Sequence, residues 1–261
     1  MKKLNILING QAVCLRLDST EEKLYIAIKE FIPGHLLQKI KRLDGIIYCR
    51  KSNNFKLIRS KIFHEEEYVL GKFYFRNYKS NNLINADYVI KPGERFTPKV
   101  ILSIVNKFSK ILSIYKKTLF LHASGVFINN HAYLFIGKSG SGKSTICKLL
   151  KNTTTIHDDS IVVRKKRNFL VYPGFRFRNE AYYNLKKPKK LKKILFIKKS
   201  NKNKVEKLPL KDSLSIAIAN CRSMENCKSV FILDNLLYLL KHVPCYMLYF
   251  KKNPSFWKLI K

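Results

Sequence analysis

The sequence predicts an α/β chain in two parts, a small β-rich region over residues 1–95 and a larger α/β region over 96–261. Three observations predict it. Short apolar segments separated by Ser- and Asn-rich turns fill the first 95 residues. Pro92-Gly93 breaks that texture, and Thr97-Pro98 then offers an N-cap and a proline at a first helical position. Beyond residue 118, strand-like and helix-like segments alternate around a glycine-rich loop at 137–144.

In the first part, Leu4 to Leu17 reads as a hairpin. Its two apolar segments flank Asn9-Gly10, a pair that tolerates the positive φ angles of a tight type I′ turn. A helix is predicted near Pro33–Lys41, with further strands at Gly45–Cys49, Phe55–Ile58, Tyr68–Leu70 and Lys72–Tyr78. The acidic run Glu65-Glu66-Glu67 reads as a solvated turn.

In the second part, Pro98 to Lys116 carries Val100, Ile101, Ile104, Val105, Phe108, Ile111, Leu112 and Tyr115 at helical spacing. Leu119–Ile128 and Ala132–Ile136 read as strands around an Asn129-Asn130 turn, and Ser144–Leu150 as a helix. Ser160–Val163, Phe169–Tyr172 and Ile194–Ile197 are further strands. Ser213–Asn220 and Ser229–Leu240 are helices, and Cys245–Phe250 is a closing strand.

Composition narrows the function classes. Hydrophobic residues at 46% and charged residues at 26% describe a chain able to bury a core, which excludes wholesale disorder. The charge is unusual: 52 Lys+Arg against 17 Asp+Glu give +35. The lysines are spread along the whole chain rather than clustered, so the sequence predicts over-use of Lys and no specific nucleic-acid partner. The six cysteines show no CxxC pair and no disulfide-scaffold spacing, which suits reduced thiols. Asn5, Asn9 and Gln11 interrupt the first apolar stretch, and no 18-residue apolar run follows. No membrane partner and a cytoplasmic location are therefore expected. Self-association into a homo-oligomer is left open.

Gly137-Lys138-Ser139-Gly140-Ser141-Gly142-Lys143-Ser144 matches G-x-x-x-x-G-K-[ST] in full. Each part has a chemical reason. The glycines let the backbone turn so that successive N–H groups, Ser139 and Ser141 among them, face one concavity. Those donors and the start of the following helix, through Thr145, suit the α- and β-phosphates of ATP. Lys143 would reach the β- and γ-phosphates, and the Ser144 hydroxyl would ligate Mg²⁺. Tyr133-Leu134-Phe135-Ile136 before the loop and Ile146-Cys147-Lys148-Leu149-Leu150 after it supply the strand and helix the motif requires.

Asp158-Asp159 precede Ile161-Val162-Val163. Phosphoryl transfer to a hydroxyl needs a carboxylate on the metal and a group to take the hydroxyl proton. Adjacent strand residues point to opposite faces, so one of the two would aim at the γ-phosphate. His122 lies in the strand expected to pair with the one before the loop, where a core role is the ordinary one for a histidine.

Taken together, Leu121-His122-Ala123-Ser124-Gly125-Val126, the glycine loop, Asp158-Asp159-Ser160-Ile161-Val162 and Tyr172-Pro173-Gly174-Phe175-Arg176-Phe177-Arg178 resemble the catalytic domain of the HPr kinase/phosphorylase family. Val243-Pro244-Cys245-Tyr246-Met247-Leu248 and Phe256-Trp257 resemble its closing segment. The resemblance implies a P-loop kinase fold related to PEP carboxykinase over the C-terminal part, with the small β-rich domain ahead of it. It implies Lys143 on the phosphates, Ser144 and Asp158 near Mg²⁺, and Asp159 or Asp158 as the acceptor's base. It further implies His122 tuning that base and Arg176 or Arg178 neutralising phosphate charge. The acceptor it implies is a serine or other hydroxyl of a peptide or protein. A glycine-rich signature of true HPr kinase/phosphorylases is absent, so HPr itself is not implied as substrate. An ATP-binding regulatory module and a P-loop NTPase acting on nucleic acid stand as alternatives.

Overall fold

The structure is a computed structural model. It describes residues 1–8, 11–17, 21–32, 37, 40, 43–51, 62–68, 70–78, 83–115, 118–150, 154–156, 161–173, 188–221 and 230–260. The chain forms two compact units, Met1–Leu112 and Ser113–Lys261.

The first unit is a six-stranded mixed sheet. Its strands are β1 (Lys2–Ile8), β2 (Gln11–Leu17), β3 (Gly45–Lys51), β4 (Ile62–Tyr68), β5 (Gly71–Tyr78) and β6 (Leu83–Ile90), in the order β1-β2-β3-β6-β5-β4. The expected hairpin is present: β1 and β2 pair antiparallel from Lys2↔Leu17 to Ile8↔Gln11, which leaves two residues for the turn. Two helices, α1 (Glu22–Phe31) and α2 (Pro98–Tyr115), complete the unit. Ile101, Ile104, Val105 and Phe108 of α2 are fully buried, and the Phe108 ring stacks on Phe75 of β5 at 6.0 Å. A side chain at Gly45 would strike Phe108 and Leu112, so β3 and α2 meet at that glycine. Thr97 caps α2 as predicted, its Oγ1 accepting from the Val100 N–H at 3.2 Å.

Several readings change here. Of the helix expected over Pro33–Lys41, only residues 37 and 40 are described; Leu37 makes an antiparallel bridge to Ile6, and the helix α1 lies earlier, at Glu22–Phe31. Glu65-Glu66-Glu67 lie within strand β4 rather than a turn. The strand expected at Phe55–Ile58 lies outside the described residues. The division expected at 95/96 precedes α2, whose Phe108 packs on the sheet of the first unit.

The second unit is built on β7 (Thr118–Leu121), β8 (Ala123–Ile128), β9 (His131–Ile136), β10 (Thr154–Ile156), β11 (Ile161–Lys165), β12 (Phe169–Pro173), β13 (Lys189–Lys199), β14 (Lys204–Lys207) and β15 (Cys245–Phe250). The order is β10-β8-β9-β13-β12-β11-β7, with β15 on β13 and β14 on β15. β9, β13 and β15 run parallel, and the others pair antiparallel. Asn129 and Asn130 turn β8 into β9 with φ of 51° and 39°.

The parallel strands are apolar on both faces, as strands covered twice must be. Ala132, Leu134 and Ile136 of β9 face a core shared with α4 (Leu210–Ala219) and α5 (Val230–His242). Tyr133 and Phe135 face a second core with α3 (Lys143–Leu149) and the 3₁₀ turn Pro254–Leu259. One consequence places the site. The carboxyl ends of β9, β13 and β15 finish together, and the glycine loop leaves β9 there.

Candidate functional site: a glycine loop at the end of the parallel strands

β9 carries the chain into the loop at Gly137, and Gly142 is the N-cap of α3. Gly140 and Gly142 have φ of 73° and 104°, conformations that a side chain disfavours. Gly142 sits against the Phe250 ring, which a Cβ there would approach to 3.3 Å. Gly137 is equally hemmed in, because a Cβ would meet the Ser141 Oγ at 2.7 Å and the Ile197 carbonyl oxygen at 3.3 Å. The glycines at 137 and 142 thus answer to the ends of β13 and β15, which flank the loop.

Lys143 is turned inward. It is 8% exposed, and its Nζ donates to the carbonyl oxygens of Gly137 at 2.6 Å and Lys138 at 3.0 Å. The ammonium therefore lies over the loop's own backbone. Ser141 donates its N–H to the Lys138 carbonyl, yet its buried Oγ has no hydrogen-bond partner. A buried hydroxyl without a partner is costly unless something supplies one. Ser139, Gly140 and Ser144 are exposed on the rim, and Thr145 is half-buried.

Below the loop, α3 is anchored by Ile146 and Cys147, both buried. The Cys147 thiol donates to the Gly125 carbonyl at 3.8 Å, and burial pushes its pKa up to about 12. It is a core group and a poor nucleophile at neutral pH.

His122 sits at the same end of the sheet. Leu121 before it pairs with Ile161, and Ala123 after it pairs with Ile136, the last residue before the loop. Its backbone N–H donates to the Asn220 carbonyl at 2.7 Å, and its side chain is half-buried. Ile156 pairs with Gly125, so the described residues on either side of 157–160 attach to the sheet on either side of His122. Asp158, Asp159, Arg176 and Arg178 lie outside the described residues. The structure therefore brings the loop and His122 to one end of the unit. Phe250, the wall behind Gly142, was read in sequence only as part of a closing strand; no local pattern distinguishes it.

The donor set fits a magnesium–nucleotide complex. No group of three or more His, Cys, Asp or Glu side chains placed to hold a metal ion occurs among the described residues. Magnesium at a phosphate site needs only one or two protein oxygens beside those of phosphate and water, and Ser144 can supply one. The unpartnered Ser141 Oγ and the inward ammonium of Lys143 are donors that phosphate oxygens would satisfy.

Fold and site together define a mixed α/β protein with a glycine-rich strand-to-helix loop. The chain belongs to the family of the SynChlorMet cassette protein ScmC, whose model matches residues 96–261. No curated protein matches the chain. The family match overturns the resemblance to HPr kinase/phosphorylase, a family unrelated to this one. That resemblance rested on short strings, and the octapeptide among them suits many backbones that cradle an anion. The roles it implied for His122, Asp158, Asp159, Arg176 and Arg178 lose that support.

Proposed function

We propose that the chain binds ATP with Mg²⁺ in the 137–145 loop and transfers the γ-phosphoryl group to a hydroxyl of a peptide or protein. The observation that carries this reading is the loop itself. Two left-handed glycines fold it so that the Lys143 ammonium lies over the Gly137 and Lys138 carbonyls, beside an unpartnered Ser141 hydroxyl. Lys143 would exchange its carbonyl partners for β- and γ-phosphate oxygens, bonds strengthened by charge on both sides. Loop N–H groups would hold the remaining phosphate oxygens, and the Ser144 hydroxyl would face the metal. Magnesium, when bound, neutralises charge that develops on the transferred group. Asp158 or Asp159 would take the acceptor's proton as its oxygen bonds to the γ-phosphorus and ADP leaves.

The test is titration of Mg·ATP into the wild-type protein and Lys143→Ala, each checked for cooperative melting, followed by transfer of labelled phosphate to serine-containing peptides. Affinity should fall by at least about tenfold in the variant, the loss of one charge-assisted contact. Equal affinity in a folded Lys143→Ala protein overturns nucleotide binding. Binding without transfer to any acceptor would reduce the chain to a regulatory ATP-binding module.

A further inference from the structure

β14 and α5 both end beside the start of β15, and a cavity of about 720 Å³ lies between them and the first turn of α4. It sits at the opposite end of β15 from Phe250 and the glycine loop. Two connections frame it. Leu208-Pro209 leads from β14 into α4, and Val243-Pro244 leads from α5 into β15. Backbone bonds pin both. The Leu208 N–H donates to the Cys245 carbonyl at 3.0 Å, that of Ile194 to the Pro244 carbonyl at 3.0 Å, and that of Ser213 to the Pro209 carbonyl at 2.9 Å. The walls are therefore set by the fold itself, which spares a ligand the cost of ordering them.

The lining divides by chemistry. Leu240, Val243 and Cys245 are buried and form an apolar floor. Its polar groups are already engaged: the Ser213 hydroxyl donates to the Leu208 carbonyl, and the Cys245 thiol donates to the Val243 carbonyl at 3.3 Å. Lys207 of β14 and Lys241 of α5 line the same cavity and are exposed. Neither has an ion-pair partner among the described residues. No carboxylate lines the cavity. Glu206, beside Lys207 on β14, is ion-paired to Lys204, and Asp212 of α4 lies outside the lining. His242 contributes shape rather than a free donor, because its Nδ1 already donates to the Tyr238 carbonyl at 2.8 Å.

We propose that this cavity binds a small organic anion with an apolar body, a carboxylate or a sulfonate. The body lies on the Leu240–Val243 floor, and the head meets the Lys207 and Lys241 ammonium groups. The volume falls in the range of small-molecule sites, roughly 300–1,000 Å³. Apolar floor and cationic rim without a carboxylate are complementary to such a molecule. A partner strand is a poorer occupant, since Pro209 and Pro244 have no N–H with which to pair it. The site stands apart from the glycine loop, so the proposal survives or fails independently of nucleotide binding.

The experiment titrates the full chain with anilinonaphthalene sulfonate and with the uncharged anilinonaphthalene, read by fluorescence and by backbone amide shifts. A cooperative melt of each protein separates binding at a site from the general affinity of partly folded chains for this dye. The sulfonate should bind more tightly than the uncharged ring, with shifts centred on 207–213 and 240–246. Lys207→Gln with Lys241→Gln should weaken the sulfonate by about fivefold and leave the uncharged ring unchanged. Lys202→Gln, in the turn between β13 and β14, should change neither. If the double variant does not melt cooperatively, the two single variants carry the test, each with a smaller loss. Equal affinity for the two probes, full sulfonate affinity in the folded lysine variants, or shifts centred elsewhere in the chain would each overturn the proposal.

Discussion

Cys147 shows how one residue ties the site to the core. Its thiol is buried directly beneath the loop and raised to about 12 from an ordinary 9.0, chiefly by desolvation. Cys245 is raised to about 11 for the same reason, with a hydrogen bond from Ser213 opposing the rise. A thiol held neutral by the fold contributes stability that is fully present below pH 9.0, its unfolded value, and is lost as pH climbs through the folded value. Urea melts should therefore weaken from about pH 9 upward, by roughly 1.4 kcal/mol per pH unit for each such thiol. At pH 8, iodoacetamide should modify Cys147 only after unfolding. Rapid labelling of the native protein at Cys147 would show that the helix does not cover it.

At the scale of elements, the loop and α3 act as one piece because Gly142 is seated against Phe250. Gly142→Ala combines a left-handed φ with a tight approach to that ring. It should cost about 1–2 kcal/mol of stability and weaken Mg·ATP in parallel. A variant with unchanged denaturation midpoint and affinity would show that the loop relaxes without loss. The loop and its flanking elements were legible in sequence because each carries a local signature: glycines at fixed spacing, an apolar strand before and an apolar helix after. The elements that sequence reading misplaced carry none. α1 begins at Glu22, and its N-cap residue Glu21 makes no side-chain cap bond, so nothing announces its start. β6 holds Asn85 and Asp87 at its centre, residues that disfavour strands. Only the ion pairs from Arg50 on β3 and Arg76 on β5 make Asp87 acceptable there, and those partners are remote in sequence.

At the scale of the whole molecule, α2 poses a question of boundaries. The ScmC family match starts at residue 96 and includes α2, whereas the compact unit ends at Leu112. A fragment starting at residue 96 would carry Ile101, Ile104, Val105 and Phe108 without the strands of the first unit. It should self-associate in sedimentation, while a fragment of residues 113–261 should remain monodisperse and retain Mg·ATP binding. Equal behaviour of the two fragments would mean that α2 finds its cover elsewhere. The family match begins where the sequence divides, at 95/96, and the compact unit runs on to Leu112. Helical periodicity shows which face of α2 is apolar but not which sheet that face covers. The expectation of no membrane span has a narrower outcome. Among the described residues, no helix is long and apolar enough to cross a bilayer.

The parallel pairing of β9 with β13 also sets an order in time. When a ribosome has released the glycine loop, β9 has only its antiparallel neighbour β8, the strand just before it. Its parallel partner β13 emerges only after α3 and the three strands β10, β11 and β12, and the Phe250 seat on β15 only after β14, α4 and α5 as well. Pairings this distant along the chain form slowly. The nascent chain thus carries the glycine-loop sequence for most of the synthesis of the second unit before the loop has the walls that shape it. If the proposed nucleotide binds this loop, it would stabilise the completed fold and not its early intermediates.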